Sequence, residues 1–137
     1  MANYYANCRT NYFHVKDAKA FKNAMDALPG LDVCAEGDNK FCLLGDDPDG
    51  AGWPCWGYDE ENDQDIEIDL PMIVSEHLVD GEVAIFMESG AEKLRYIVGY
   101  AVAVNSHGDM MTVALNDIYQ KAEMLTDRPE DITVAEY

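Results

Sequence analysis

Residues 82–115 read EVAIFMESGAEKLRYIVGYAVAVNSHGDMMTVAL, and this stretch decides the fold. Three runs rich in strand-forming residues follow one another: Glu82 to Glu88, Leu94 to Asn105 and Met110 to Leu115. Ala91-Glu92-Lys93 joins the first two, and Asn105-Ser106-His107-Gly108-Asp109 has the composition of a hairpin turn. Links this short admit only antiparallel neighbours, because a parallel pair needs a crossover of about a dozen residues or more.

Upstream, Asn11-Tyr12-Phe13-His14-Val15 reads as a strand. Asp17 then caps a helix in which Ala18, Phe21, Ala24, Met25 and Leu28 recur at helical spacing, and Pro29-Gly30 stops it. Leu31 to Glu36 and Lys40 to Leu44 flank the turn Gly37-Asp38-Asn39, so the chain opens as β-α-β-β. Asp65-Ile66-Glu67-Ile68-Asp69 alternates acid and apolar residues like a half-buried edge strand, and Leu70-Pro71 leads into a short helix, Met72 to Val79. A last helix begins near Asn116, with Ile118, Tyr119, Ala122 and Leu125 on one side. The expectation is an α+β fold in one domain, residues 1–137. It has a mostly antiparallel sheet of five or six strands and about three helices packed on one face. The tail after Arg128 is expected to be loosely held.

Composition supports a folded body rather than an acidic disordered chain. At 137 residues, 48 % hydrophobic and 10 % aromatic, the chain can bury a core without disulfides or metal. Cys8, Cys34, Cys42 and Cys55 fit no zinc knuckle or CxxC motif and read as reduced thiols. Met1 to Tyr5 shows no signal-peptide pattern, and the longest apolar run, Tyr96 to Val104, is too short to span a membrane.

The charge is placed rather than spread. Net charge is −18, and residues 32–92 alone hold eighteen acids against Lys40, a net −17. Residues 1–31 sum to +2 and residues 93–137 to −3. Self-repulsion on that scale costs stability, which points to a use for the charge: attraction to a strongly basic protein surface. Nucleic acid and anionic membranes repel such a chain, so direct binding to either is not expected. A halophile's acids would be spread over every segment, and these are not.

Within this block lies a long loop, residues 45–64, made of Gly, Pro, acids and aromatics. Loops longer than about 12–15 residues in compact domains are usually functional or disordered. Trp53, Trp56 and Tyr58 argue for order: they either pin the loop to the body or anchor a partner.

No catalytic or metal constellation emerges, and no cofactor is expected. An EF-hand register from Asp59 fits at Glu61 and Asp63 but meets Gln64 at position 6 and Leu70 at position 12; one from Asp47 fails at Ala51. His14, His77 and His107 stand alone, and Ser75, Ser89 and Ser106 lie in no nucleophile elbow. The chain reads as a non-enzyme. A small-molecule enzyme would instead need a deep pocket holding a perturbed carboxylate.

Strand geometry sharpens the charge argument. Side chains on one face of a strand are about 6.6–6.8 Å apart, so Asp63, Asp65, Glu67 and Asp69 would form a row with Ile66 and Ile68 facing inward. That spacing is close to the separation of phosphates along a nucleic-acid strand, on the order of 6–7 Å. Asp46, Asp47, Asp49, Asp59, Glu60 and Glu61 on the loop, and Glu76, Asp80 and Glu82 beyond it, would extend the row.

Four segments resemble small acidic proteins carried by bacterial phages and plasmids: residues 9–17 (RTNYFHVKD), 52–54 (GWP), 67–71 (EIDLP) and 91–96 (AEKLRY). The resemblance implies a mobile-element cargo protein acting in the bacterial host cytoplasm, a setting in which DNA-mimicking antirestriction and anti-CRISPR inhibitors occur. It transfers no contact residues. The expected function is inhibition of a CRISPR effector or restriction enzyme by occupying its DNA-binding channel, as a monomer or homodimer. The alternative is an immunity protein that neutralises a basic nuclease toxin through a compact patch of the same acids with aromatic anchors.

Overall fold

The structure, a computed structural model, describes residues 4–45, 52–92 and 96–135. Among the described residues it is α+β and mostly antiparallel. One seven-stranded sheet comprises β1 (Tyr4–Thr10), β2 (Phe13–His14), β3 (Leu31–Ala35), β4 (Lys40–Gly45), β7 (Val83–Glu92), β8 (Tyr96–Asn105) and β9 (Met110–Ala114). A separate two-stranded hairpin is formed by β5 (Trp56–Asp59) and β6 (Gln64–Glu67). The helices are α1 (Ala18–Asp26), α2 (Leu70–Ser75) and α3 (Asp117–Ala122), the last followed by 3-10 turns at Glu123–Leu125 and Pro129–Asp131.

The large sheet runs β3-β4-β1-β7-β8-β9, with β2 on the same edge of β4 as β1. β1 turns into β2 through Asn11, whose side chain stands in for a ladder residue. Its amide donates to the Val83 carbonyl (3.0 Å) and its Oδ1 accepts from the Ile85 N–H (2.8 Å). Asp17 caps α1 as the sequence implies, accepting from the Lys19 and Ala20 amides at 3.0 and 3.2 Å.

Alternation along the strands gives the sheet two unlike faces. Thr10, Ala84, Phe86, Val104, Phe41 and Leu43 point to one side. There α1 brings Phe21 and Met25 and α2 brings Leu70 and Val74, closing a core stacked around Phe13, Phe21 and Phe41. The other side, carrying Arg9, Met87, Ala101 and Val113, has no helix packed over it among the described residues.

Several expectations need revision. The sheet has one or two strands more than expected, because Tyr4–Thr10 is a full strand pairing with β7 along its whole length. Its inward residues Ala6, Cys8 and Thr10 are too small and polar to signal a buried face. The presumed loop residues 56–59 form β5. The second helix starts earlier and is shorter, Leu70–Ser75. Two helices, not three, pack on the core face; α3 buries no side chain. Beyond residue 128 the tail keeps a 3-10 turn, and the Ala135 N–H donates to the Tyr119 hydroxyl at 2.7 Å.

Phe21 lies at the centre of the aromatic stack and is fully buried. Phe21→Ala should cost about 3–5 kcal/mol in denaturant unfolding, whereas Val134→Ala, at a position 61 % exposed, should stay within about 0.5 kcal/mol of the parent.

Candidate functional site

The acidic segment is attached to the core by Trp53. Its ring meets Phe86 edge-on at 5.5 Å, and its backbone N–H donates to the Glu88 carboxylate at 2.9 Å. Glu88 sits on the core face of β7, 8 % exposed, and the same Oε1 also accepts from the Tyr100 hydroxyl (3.0 Å) and the Cys8 thiol (3.5 Å). Gly52, at φ +96°, passes so close that an added Cβ would lie 2.5 Å from that oxygen. A side chain is excluded there on both counts. Burial, and then the neighbouring Glu88, push the Cys8 thiol up to about 12, so it remains a protonated donor. The Tyr100 phenol is raised for the same two reasons in the same order.

From this anchor the chain runs out into the hairpin. The Ile68 N–H donates to the Cys55 carbonyl at 2.9 Å, and Ile68 is buried in the core. Trp56 pairs with Glu67, Gly57 with Ile66, Tyr58 with Asp65 and Asp59 with Gln64. Directly opposed residues share a face, so Trp56, Tyr58, Asp65 and Glu67 form one four-residue patch. The two aromatics are 61 % and 56 % exposed. The hairpin and the end of α1 enclose an open cleft of about 540 Å³, lined by Trp56, Tyr58, Asp65, Asp26, Leu28 and Pro29.

The turn is built from its own acids. Asp59 accepts from the Glu61 amide (3.0 Å), the Asn62 amide (3.4 Å) and the Asn62 side chain (2.6 Å). Chiefly through that side-chain bond, its carboxyl is held below the usual range. Asp63 takes the left-handed conformation at φ 50° and accepts a hydrogen bond from the Tyr58 hydroxyl. That bond raises the Tyr58 phenol above its ordinary value.

The expected row of four carboxylates is therefore interrupted. β6 covers only Gln64–Glu67; Asp63 belongs to the turn, and Asp69 caps α2 by accepting from the Met72 amide at 3.4 Å. Ile68 faces inward as expected, but Ile66 is exposed, since the short hairpin stands clear of the body. Glu60 and Glu61 are exposed at the tip, and Glu76 at the end of α2. Asp80 and Glu82 lie at another corner of the molecule and face histidines: Asp80 is 3.2 Å from His107 Nε2, and Glu82 is 2.7 Å from His14 Nδ1. The amide of His14, then its ring, holds the Glu82 carboxyl below its usual range. Asp46, Asp47 and Asp49 lie outside the described residues. Among the described residues no group of three or more His, Cys, Asp or Glu is placed to hold a metal ion. No helix there is long and apolar enough to cross a membrane.

Sequence reasoning missed Glu88 as the anchor. Its signal was present: in Ala84, Phe86, Glu88 the acid falls at an inward position of an alternating strand. By composition alone it is one of the eighteen acids of the charged block.

Two outcomes follow from this anchor. In a Trp56→Phe background, Gly52→Ala should destabilise the fold by about 1–3 kcal/mol and shift Trp53 fluorescence to the red as the ring leaves Phe86. Under reducing conditions, stability should fall as pH rises from 9 toward 12. In that window the unfolded Cys8 thiol, with its ordinary value of 9.0, ionises while the folded one does not. The unfolded state then binds fewer protons and is favoured. Cys8→Ala should make that slope shallower in pH-dependent thermal melts. Compared with protein-family models, curated proteins and solved structures, the chain matches nothing, so a functional reading rests on the chemistry of the hairpin itself.

Proposed function

We propose that the chain is a non-enzymatic inhibitor that presents carboxylates where DNA presents phosphates and so occupies the DNA-binding channel of a bacterial defence complex, a CRISPR effector or a restriction enzyme. One observation carries this reading: the segment with a net charge of −17 projects a hairpin whose exposed face sets Asp65 and Glu67 opposite Tyr58 and Trp56. Carboxylates there attract Lys and Arg over distance and steer the encounter. Exposed aromatic rings beside them give a guanidinium a flat surface to stack on, a cation–π contact worth about 0.5–2 kcal/mol. The cleft toward α1, with Asp26 on its far wall, accommodates a long basic side chain between two acids.

The compactness of this patch favours a second reading, an immunity protein that neutralises one basic nuclease toxin. Two carboxylates beside two aromatics have the anatomy of a hot spot, in which a few residues dominate the affinity. A DNA mimic spreads its contacts further along the charge block.

Capture from bacterial lysate at low salt, with elution in rising salt, tests the proposal. Recovery of a DNA-binding complex that competing duplex releases supports mimicry; a small nuclease that duplex cannot displace supports the second reading. With the captured partner, raising ionic strength from about 0.1 M to about 1 M shortens the Debye length from about 10 Å to about 3 Å and should weaken binding steeply. Double reversal, Asp65→Lys with Glu67→Lys, should weaken a mimic by a graded amount and abolish binding by an immunity protein. Trp56→Ala should cost more than about 1 kcal/mol of binding with an unchanged circular dichroism spectrum. Affinity indifferent to salt would sink both readings.

A further inference from the structure

The face of the large sheet opposite the core is as unlike the hairpin as the composition permits. Across β1, β7, β8 and β9 the described side chains on this face are Asn7 and Arg9; Val83, Ile85, Met87, Ser89 and Ala91; Ile97, Ala101, Ala103 and Asn105; and Met111 and Val113, with Leu115 just beyond. Not one is acidic, in a chain with 27 acids, and Arg9 is the only charge. On the same side, Asp32 lies on β3, across β4 from Arg9. Met87 and Val113 are 56 % and 58 % exposed, and Ile97, Met111 and Leu115 are exposed too. Between them runs an open trough of about 690 Å³, whose walls include Arg9, Leu44, Met87, Val113 and Leu115, with Gly99 and Ala101 along its floor. Gly99 leaves room there for a Leu115 methyl, which leans over the sheet and would lie 2.7 Å from an added Cβ. Beyond β9, Ile118, Met124 and Leu125 are also left exposed.

We propose that this face is the interface of a homodimer, in which a second copy of the chain packs its own open sheet face against it about a two-fold axis. The charge distribution selects that occupant. Two bodies of −18 repel through almost any other pair of surfaces, whereas the β1, β7, β8 and β9 part of this face brings together surfaces whose described side chains carry no charge but Arg9. The hairpin roots on the opposite, helix-bearing side through Trp53 and Ile68, so the dimer holds the two acidic segments apart. The area is sufficient. Four strands about 4.8 Å apart, over about 25 Å of their length, present roughly 500 Å² before side-chain relief. Side-chain relief, including the Leu115 methyl that leans over the sheet, carries the total toward the roughly 800 Å² per partner of a standard interface. Unbranched, adaptable methionines at the rim suit a self-complementary contact in which each copy's Met87 enters the other's trough. The dimer presents two hairpins, so a target with two basic sites would be bound with added avidity.

Sedimentation equilibrium of the full chain, with light scattering as a check, tests this. The expected mass is twice the 15.3 kDa of one chain. Because the interface is apolar and the remainder repulsive, dimerisation should tighten as salt rises, opposite to the salt dependence proposed for the hairpin partner. The two ideas can therefore fail separately. Ser89→Arg and Met87→Lys change exposed side chains on this face and should each yield a monomer with an unaltered circular dichroism spectrum and a melting temperature that no longer rises with protein concentration. Asp65→Lys should leave the dimer intact. A 15.3 kDa species at all salt concentrations up to hundreds of micromolar protein would overturn the proposal. So would a dimer that survives both Ser89→Arg and Met87→Lys.

Discussion

A carboxylate turned into the sheet holds the acidic segment to the rest of the molecule. Among the described residues Glu88 gathers donors from three places in the chain: the thiol of Cys8 on β1, the hydroxyl of Tyr100 on β8 and the backbone of Trp53. A buried acid is costly unless it is hydrogen-bonded, and bonds of this kind are strong because the acceptor is a carboxylate. The arrangement gives the loop one place to attach. Trp53 lands on Phe86, Gly52 takes the conformation that only glycine tolerates beside the carboxylate, and the hairpin emerges in a defined direction.

With the anchor set, the molecule divides by charge. Apolar side chains of α1, α2 and one sheet face form the core, the hairpin carries exposed carboxylates and aromatics above it, and the described side chains of β1, β7, β8 and β9 on the reverse of the sheet include no acid. Keeping acids off the β1-β7-β8-β9 part of that face concentrates the field elsewhere, where it is useful for steering a basic partner. Concentrating charge also has a cost, visible in the local chemistry. Several acids are occupied structurally: Asp59 and Asp63 build the turn, Asp69 and Asp17 cap helices, and Asp80 and Glu82 face histidines. The carboxylates left fully to the outside on β6 are Asp65 and Glu67.

Much of the architecture was written locally. The Asp17 cap, the spacing of Phe21 and Met25, the turn at Gly37-Asp38-Asn39 and the alternation from Val83 to Leu115 each specify an element from residues near one another in sequence. Strand β1 was not legible, because Ala6, Cys8 and Thr10 gain their burial only by lying between β4 and β7. The hairpin strand β5 was hidden too. Trp56-Gly57-Tyr58-Asp59 pairs only with β6, and its Gly-rich, Pro-rich approach has the composition of a loop.

Residue order alone shows that the chain can bury an apolar core, that its net negative charge is concentrated in the middle of the chain, and that its final strands are antiparallel. Composition, short-range periodicity and link length settle those matters without knowledge of distant contacts. Tertiary contacts alone set which acids are spoken for and which face outward, that Glu88 is an internal anchor, and that among the described residues no helix covers one face of the sheet. Those properties depend on pairing between segments as far apart as Cys8 and Glu88, and no local pattern of residues encodes a partner eighty positions away.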